Sequence, residues 1–372
     1  MHKRFFALLL IFLPTQLGFH FWPEWSMVLG RRIDYLSSTV YLTDIIIFFV
    51  LLFWFIEFRP KLRLQILIPV LLFAAVNIWV AKSQPESIYK WGKILEFGLL
   101  SFYIVRTKPG LSFVARYLSV AVFYSSFIAI GQFIFQHSLG GMFWWLGERT
   151  FTIDTAGIAR VVLNGREYLR AYGTFSHPNV LGGFLAVTLP FLLVQKKSFW
   201  IRICIILGIV ALILTFGRAA LVVGLIAIIG KNKRFFLILV IIPAIFILTK
   251  FNPLEESVVV RQQLNAAAFT LWQQSPLVGI GLGNFLVQLP EVLPSRQIYF
   301  LQPVHNIYLL VLAETGIIGC VAFLLLVKRS IKKFNVSLIA LLLLGLVDHY
   351  PLTLQQGQLL FTLVLSLSTI LP

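Results

Sequence analysis

The chain is poor in charge and in cysteine, and both shortages limit what it can be. Charged residues make up 12% of its 372 positions and hydrophobic residues 59%, with a mean hydropathy of +0.91. Soluble domains carry about 25% charged residues. The two cysteines, Cys204 and Cys320, lie inside apolar segments, so no disulfide framework or cysteine metal site is indicated. The composition therefore predicts a polytopic membrane protein.

Carboxylates are scarce where a metal-dependent transferase would need them. The long loops lack an Asp-x-Asp pair, and the adjacent Glu255 and Glu256 would diverge on a helix. The glycines at 279, 281 and 283 do not follow a strand, so they do not indicate a nucleotide-binding loop. We expect no cofactor and no metal, which leaves arginine to bind any phosphate group.

Long apolar runs are abundant instead. A membrane crossing needs about 20 mostly apolar residues, and twelve segments approach that description, which predicts an all-α fold. They are Phe5 to Trp22, Val40 to Ile56, Leu64 to Ala81, Ile88 to Val105, Leu111 to Phe135, Val180 to Val194, Phe199 to Phe216, Ala219 to Gly230, Phe235 to Thr249, Asn306 to Val327, Val336 to Val347 and Gln358 to Leu371.

The basic residues indicate an orientation for these segments. The net charge of +17 is better explained by the enrichment of Lys and Arg in cytoplasmic loops than by nucleic-acid binding. With both termini in the cytoplasm, more than half of the 31 Lys and Arg residues fall on the inner side, accompanied in the loops by one acid, Glu57. We expect residues 1–372 to form one integral membrane domain with this topology.

Two long connections then face outward. They are residues 136–179 and residues 250–305, both rich enough in aromatic and apolar side chains to be ordered. Apolar residues at helical spacing between Val258 and Gln274 predict an amphipathic helix in the second connection, ended by Ser275-Pro276. Gly279, Gly281 and Gly283 predict a tight loop after it.

A set of short motifs occurs in a characteristic order from Arg170 onward. Each motif is short, but their order, spacing and common outer-face position resemble the O-antigen ligase and O-antigen polymerase superfamily, over a core of about residues 170–327. The motifs are Arg170-Ala-Tyr-Gly-Thr-Phe-Ser-His-Pro-Asn179, Thr215-Phe-Gly-Arg-Ala-Ala-Leu221, Arg261 ahead of Ser275-Pro-Leu-Val-Gly-Ile-Gly281, and Val304-His-Asn306 leading into Ala313-Glu-Thr-Gly-Ile-Ile-Gly319.

The resemblance implies a membrane-embedded, GT-C-like and metal-independent glycosyltransferase of the bacterial inner membrane with its active site facing outward. Such an enzyme moves a glycan from undecaprenyl diphosphate to a lipid or glycan acceptor hydroxyl. It implies that Arg218 and Arg261 bind the diphosphate and that His305 is the catalytic base. We also expect Arg170 to bind the diphosphate and Asn306 and Glu314 to support the site. The chemistry agrees, because guanidinium groups stabilise a diphosphate leaving group. Imidazole, with an ordinary pKa of about 6.5, can accept a proton near neutral pH, and a base opposite the leaving group implies inversion.

Each of these residues also has a simpler explanation. Arg218 could be an interfacial anchor, Arg261 a solvated charge, and His305 an ordinary residue at a helix start. His177, before Pro178, is interpreted as structural, with acceptor binding as the alternative. The sequence does not separate a ligase from a polymerase, although the order of Arg218, Arg261 and His305 favours a ligase. The same pattern is also compatible with a lipid-linked glycan flippase or with a non-catalytic assembly partner.

Overall fold

The computed structural model describes residues 1–61, 64–193, 195, 198–229, 256–293, 301–331 and 335–370. The predicted ninth segment, Phe235 to Thr249, lies outside the described residues. Within them the fold is mainly helical, in agreement with the all-α expectation.

The α-helices match most of the predicted apolar segments within a few residues. They are α1 (His2–Phe12), α2 (Leu42–Phe58), α3 (Leu64–Trp79), α4 (Gln84–Thr107), α5 (Leu111–Phe135), α6 (Pro178–Leu193), α7 (Phe199–Leu214), α8 (Arg218–Ile229), α9 (Glu256–Gln274), α10 (Phe285–Val292), α11 (Ile307–Ser330), α12 (Val336–Leu344), α13 (Tyr350–Thr353) and α14 (Gln355–Ile370). The amphipathic segment predicted from Val258 to Gln274 corresponds to α9.

The second half of the first predicted segment is not helical, so the expectation of one helix from Phe5 to Trp22 is wrong. Helix α1 ends at Phe12, and Gly18–Phe21 forms strand β1, paired antiparallel with β4 (Ser38–Tyr41). Pro14 has no N–H to donate to a helix, and the aromatic residues that follow suit an extended chain. The apolar run is therefore long enough to cross a membrane, but it consists of a short helix followed by a β-strand.

Two more short hairpins occur among the described residues. Strands β2 (Met27–Val28) and β3 (Arg31–Arg32) pair within the connection that joins β1 to β4. Strands β5 (Arg160–Leu163) and β6 (Arg166–Leu169) pair in the first long connection, which also has a 3₁₀ helix at Gly141–Leu146. These connections are thus folded elements that lie against the helices.

Two helices of the described residues, Leu111–Phe135 and Ile307–Ser330, are long and apolar enough to cross a membrane by length and composition. Shorter apolar helices of 10–17 residues occur at Leu67–Trp79, Pro178–Leu193, Phe199–Leu214 and Arg218–Ile228. Many large apolar side chains are exposed along these helices, for example Leu72, Ile134 and Leu325. This distribution fits a lipid environment, because the outer surface of a soluble protein seldom carries large apolar patches.

The buried side chains form two main clusters. The larger one joins α1, α2, α4–α8, α11, α12 and α14 around residues such as Leu118, Leu185 and Val364. The second joins the start of α11 to α9, α10 and the connection before β4, through Leu264, Leu289 and Leu36 among others. The second cluster holds α9 and α10 against the N-terminal end of α11, which is where His305 lies.

Helix α11 is interrupted at Gly316, where φ is 63° and ψ is −168°. The interruption frees backbone groups that pair with the glycine loop: Ile317 N–H donates to Pro276 O (2.9 Å) and Ile280 N–H to Ala313 O (3.0 Å). A Cβ atom on Gly316 would lie 2.4 Å from the carbonyl of Leu277. Glycine is therefore required at this contact both for its positive φ and for space.

Candidate active site

His305 occupies the position just before the cap of α11. The Asn306 side-chain oxygen accepts the N–H groups of Tyr308 and Leu309 at 2.9 and 3.0 Å, and its amide donates to Leu346 O at 3.2 Å. These bonds satisfy the first turn of α11 and join it to the chain that follows α12. Asn306 therefore has the contacts of a helix cap, and these contacts fix the backbone next to His305.

The His305 ring lies between a carboxylate and an amide. Its Nδ1 is 3.6 Å from Asp348 Oδ1, and its Nε2 is 3.3 Å from Gln302 Oε1. The first distance suits an ion pair and is longer than a normal hydrogen bond, which agrees with the buried Nδ1 having no hydrogen-bond partner among the described residues. A small approach of the two side chains would complete an imidazole–carboxylate pair.

Asp348 is held from several sides. The His349 N–H donates to its Oδ1 at 2.9 Å, and the Asn179 amide reaches its Oδ2 at 3.5 Å. Burial alone raises the pKa of the Asp348 carboxyl. The neighbouring His305, His349 and His177 lower it by a larger amount, so the net pKa lies well below its usual range. The carboxylate therefore stays ionised at neutral pH beside His305.

Asn179 extends this arrangement to an arginine. Its side-chain oxygen accepts a bond from Arg170 Nη2 at 2.8 Å, and Arg170 Nε donates to Thr215 O at 2.7 Å. Asn179 begins α6 next to Pro178, and Thr215 ends α7 three residues before Arg218, so this contact joins two of the predicted motifs. Arg170, Asn179, Asp348 and His305 thus form a continuous polar chain, which we call the Arg170–His305 chain.

Two arginines approach each other at one end of this chain. Burial lowers the pKa of Arg170, and nearby Arg218 acts in the same direction. The Arg218 side chain is exposed at the start of α8. A guanidinium keeps its proton in proteins, so two positive charges share this space. Neighbouring guanidinium groups suit an anion with several oxygens, such as a diphosphate.

Two further histidines line the same region. His177 Nδ1 accepts the Asn179 N–H at 3.1 Å, and burial, followed by Arg170, lowers its pKa to about 4. The His349 ring lies 4.9 Å from the His305 ring, and burial lowers its pKa to about 3. Both are neutral at pH 7. Of the three histidines, His305 is the one whose ring lies directly against the Asp348 carboxylate.

Arg261 approaches from α9 and is partly buried. Its charge lies close enough to His349 to lower the pKa of that ring, after the larger effect of burial. The second core cluster holds α9 in this position through Leu264 and Leu271, which are on the buried face of the helix. Arg261 therefore belongs to the group of charged residues around His349.

Glu314, predicted to support the site, has a different set of contacts. Its carboxylate accepts the N–H of Phe285 at 3.2 Å, and its backbone oxygen accepts from Asn77 Nδ2 at 2.9 Å and from Gly281 N–H at 3.1 Å. These bonds brace the glycine loop and the start of α10. Glu314 therefore contributes to the scaffold that carries α9 and α11.

Three residues near the histidines, namely Asp348, Asn179 and Arg149, are not predicted as site residues from the sequence. Asp348 and Asn179 stand more than 160 positions apart in the chain and meet only through folding. Arg149 donates to Ser176 O at 3.0 Å and lies near His177. In the sequence, Asn179 is marked by its place in the motif that begins at Arg170. Arg149 is marked only by its position in the first long connection, which is predicted to face outward.

The site also contains a group of donors that a metal ion could use. Ligand atoms of His305, Asp348 and His349 lie within 4.8 Å of one another. His349 Nδ1 contacts Thr353 Oγ1 at 2.7 Å, so that nitrogen already has a partner. A metal bound here would occupy the lone pair that makes His305 basic, so metal binding and base catalysis by this ring exclude each other.

Part of the chain matches a known protein family. Residues 172–324 match the family model described as O-Antigen ligase. No curated protein matches the chain. The matched range contains Arg218, Arg261, His305 and the glycine loop, and Arg170 and Asp348 lie outside it. The match supports the resemblance of this part of the chain to the O-antigen ligase and O-antigen polymerase superfamily.

Proposed function

We propose that this chain transfers a glycan from a polyprenyl diphosphate, such as undecaprenyl diphosphate, to an acceptor hydroxyl. The observation that carries the proposal is the Arg170–His305 chain, which joins a candidate diphosphate-binding arginine to a candidate base through Asn179 and Asp348. A transferase of this type needs both groups near one sugar carbon, because charge leaves on the diphosphate while a proton leaves the acceptor.

In the proposed step, the acceptor oxygen attacks the anomeric carbon and the bond from that carbon to the diphosphate oxygen breaks. The electron pair of the broken bond goes to the diphosphate, where Arg170, Arg218 and Arg261 stabilise the charge. The acceptor proton goes to His305 Nε2. In this step the ring carries its proton on Nδ1, toward Asp348, and the acceptor hydroxyl replaces Gln302 Oε1 as the partner of Nε2.

Attack from the face opposite the leaving group inverts the anomeric carbon. The base and the arginines approach from different elements: His305 from the start of α11, and Arg170, Arg218 and Arg261 from the segment before α6, from α8 and from α9. The proposed step is a single displacement with the base on one face of the sugar and the leaving group on the other. Reading the sugar configuration before and after transfer by nuclear magnetic resonance tests the inversion.

We propose that the site faces outward and that both termini are cytoplasmic, with the protein embedded in the inner membrane. Helix α11 supports this orientation, because His305 precedes its first residue while Lys328 and Arg329 lie in its last turn. Although α11 is interrupted at Gly316, its 24 residues would be about 36 Å long as a straight helix, so its two parts together are long enough for a bilayer core. Basic residues at one end and the site at the other agree with the charge rule.

The proposed chemistry uses no metal, since arginine takes the role of the cation. Transfer by the purified protein should therefore be unchanged in excess EDTA. Complete loss in EDTA, with recovery on adding a divalent cation, would contradict this and would direct attention to His305, Asp348 and His349 as ligands.

The direct test is a deletion strain that carries either the wild type or the His305→Ala variant, with envelope and lipid-linked glycans measured by mass spectrometry. His137→Ala is a matched control, because His137 belongs to the first long connection and its ring contacts Ser138 O, outside the Arg170–His305 chain. We expect His305→Ala to be present in the membrane at normal levels without glycan transfer, and His137→Ala to be active. Full transfer by His305→Ala would rule out the base.

The same strain separates a ligase from a polymerase. Accumulation of full-length, unattached chains on the lipid carrier indicates a ligase, which the order of the motifs favours. Accumulation of single repeat units indicates a polymerase. Lipid-linked glycans that stay on the inner face of the membrane would instead indicate a flippase, and would contradict the transferase proposal.

A further inference from the structure

A cavity of about 850 Å³ lies where α1 begins and where α2 and α4 end. Its lining combines the cations Lys3, Lys61 and Arg106 with the aromatic rings of Trp54 and Phe58. The Trp54 side chain is 3% exposed and so forms part of the wall. The cavity is wide enough for a drug-sized ligand, since such sites span about 300–1,000 Å³.

The cavity is far from the candidate active site. At its beginning, α2 contacts α14 through Thr43, whose hydroxyl accepts from Gln355 at 2.9 Å, and Gln355 is two residues from the Thr353 that touches His349. The cavity lies at the other end of α2, about 25 Å away for a helix of 17 residues. It also lies outside the range that matches the O-Antigen ligase family model.

The walls are fixed by contacts among the three helices. His2 Nδ1 is 2.9 Å from the Tyr103 hydroxyl, and the His2 ring packs edge-on against Phe58 with centroids 5.4 Å apart. Arg106 stacks over Phe102, with its central carbon 5.1 Å from the ring centroid. The lining of the cavity is thus built by packed side chains on α1, α2 and α4.

The charge of the lining is strongly positive. Lys3, Lys61 and Arg106 are all exposed. The nearby carboxylate is Glu57, which is half exposed and lies 3.8 Å from His2 Nε2. Cations at helix C-termini offset the helix dipole and mark a cytoplasmic loop, but those roles do not require a concave space. Here the cations surround a cavity with an aromatic wall.

We propose that this cavity binds the phosphate headgroup of an anionic membrane lipid. The three cations would bind the phosphate oxygens, and Trp54 and Phe58 would contact the glycerol and the first acyl carbons. The adjoining surface of α2 is apolar, since Ile56 and Phe58 are 64% and 56% exposed, so the acyl chains have a path along the helix. Basic pockets between membrane helices on the cytoplasmic side are suited to such headgroups.

Native mass spectrometry of the full-length protein in neutral detergent tests the proposal, with phosphatidylglycerol and phosphatidylcholine as the lipid probes. We expect preferential retention of phosphatidylglycerol. Replacing Lys3, Lys61 and Arg106 together by Ala should weaken its binding by about 100-fold. The matched control replaces the exposed cations Arg116, Lys328 and Arg329 by Ala, which removes the same charge outside the cavity, and should change binding by less than about 2-fold.

Further variants and a competing ligand distinguish the possible outcomes of this experiment. If the triple variant does not fold, Lys61→Ala alone, which changes an exposed residue after the end of α2, should weaken binding by about 5-fold. Inorganic phosphate at millimolar concentration should not displace the lipid; displacement would mean that the cavity holds free phosphate. Equal binding of both lipids, or equal losses in the two triple variants, would overturn the proposal. His305→Ala should bind the lipid normally, so this test is independent of glycan transfer.

Discussion

Replacing Asp348 by Asn removes a negative charge 3.6 Å from His305 Nδ1 while preserving the shape of the side chain. When His305 takes the acceptor proton it becomes a cation, and Coulomb's law at this distance gives about 4.6 kcal/mol of attraction at an effective dielectric constant of about 20. In bulk water the same pair would gain about 1 kcal/mol. The side chains of His305 and Asp348 are 17% and 13% exposed, which favours the upper part of this range. We therefore expect kcat to fall by about 10²- to 10³-fold.

The assay is release of polyprenyl diphosphate from a purified lipid-linked glycan by the protein in liposomes. Asp154→Asn is the control, because Asp154 is an exposed acid in the first long connection. If Asp348 acts through His305, the His305→Ala and Asp348→Asn double variant should be no slower than His305→Ala alone. An Asp348→Asn variant within 2-fold of the wild type, or full additivity of the two changes, would refute the imidazole–carboxylate pair.

Three further predictions concern the arginines, the histidines and the glycine loop. Arg261→Lys should lower kcat by about 10- to 100-fold, nearly as much as Arg261→Ala, because a Lys cannot make two-point bonds to a diphosphate; equal activity of the Lys variant would show that only charge matters. His177 stays neutral in the folded protein down to about pH 4, whereas in the unfolded chain it takes a proton near its ordinary value of 6.5. The free energy of unfolding should therefore fall by up to about 3 kcal/mol as the pH drops from 6.5 to 4, and denaturant titrations of His177→Gln should show a weaker pH dependence; an unchanged dependence would count against a buried neutral ring. Gly316→Ala should lower the thermal unfolding temperature by several degrees, because its Cβ would lie 2.4 Å from the Leu277 carbonyl and its φ is positive, whereas Gly98→Ala, with open space around it, should not. A normal unfolding temperature for Gly316→Ala would mean that the interruption of α11 tolerates a side chain.

Most helices could be predicted from the sequence because lipid-facing and core-facing residues alike are apolar, so length and hydropathy mark each one. The same property caused the error at Phe5 to Trp22. Hydropathy does not distinguish a helix from an aromatic hairpin, and Pro14 and Gly18 were the signals that the run was divided. The interruption of α11 at Gly316 was equally hidden, since it depends on backbone bonds with a loop some 40 positions earlier.

The candidate site could be predicted in part. The sequence predicts His305, Arg218 and Arg261, because polar groups in an apolar chain are costly and because the order of these residues resembles a family. The position of Asp348 beside His305 follows from Ile307 N–H donating to Gly345 O at 2.8 Å, which ties the start of α11 to the end of α12. Long-range contacts of this kind leave no local pattern in a single sequence.

The central claim is that His305 removes the acceptor proton at a site where arginines stabilise the diphosphate. The most direct measurement is single-turnover transfer by purified wild type and His305→Ala in liposomes, with saturating lipid-linked donor and acceptor. We predict that the wild type releases one polyprenyl diphosphate for each glycan transferred and that His305→Ala binds the donor but releases none above background. Release by His305→Ala at the wild-type rate would contradict the account.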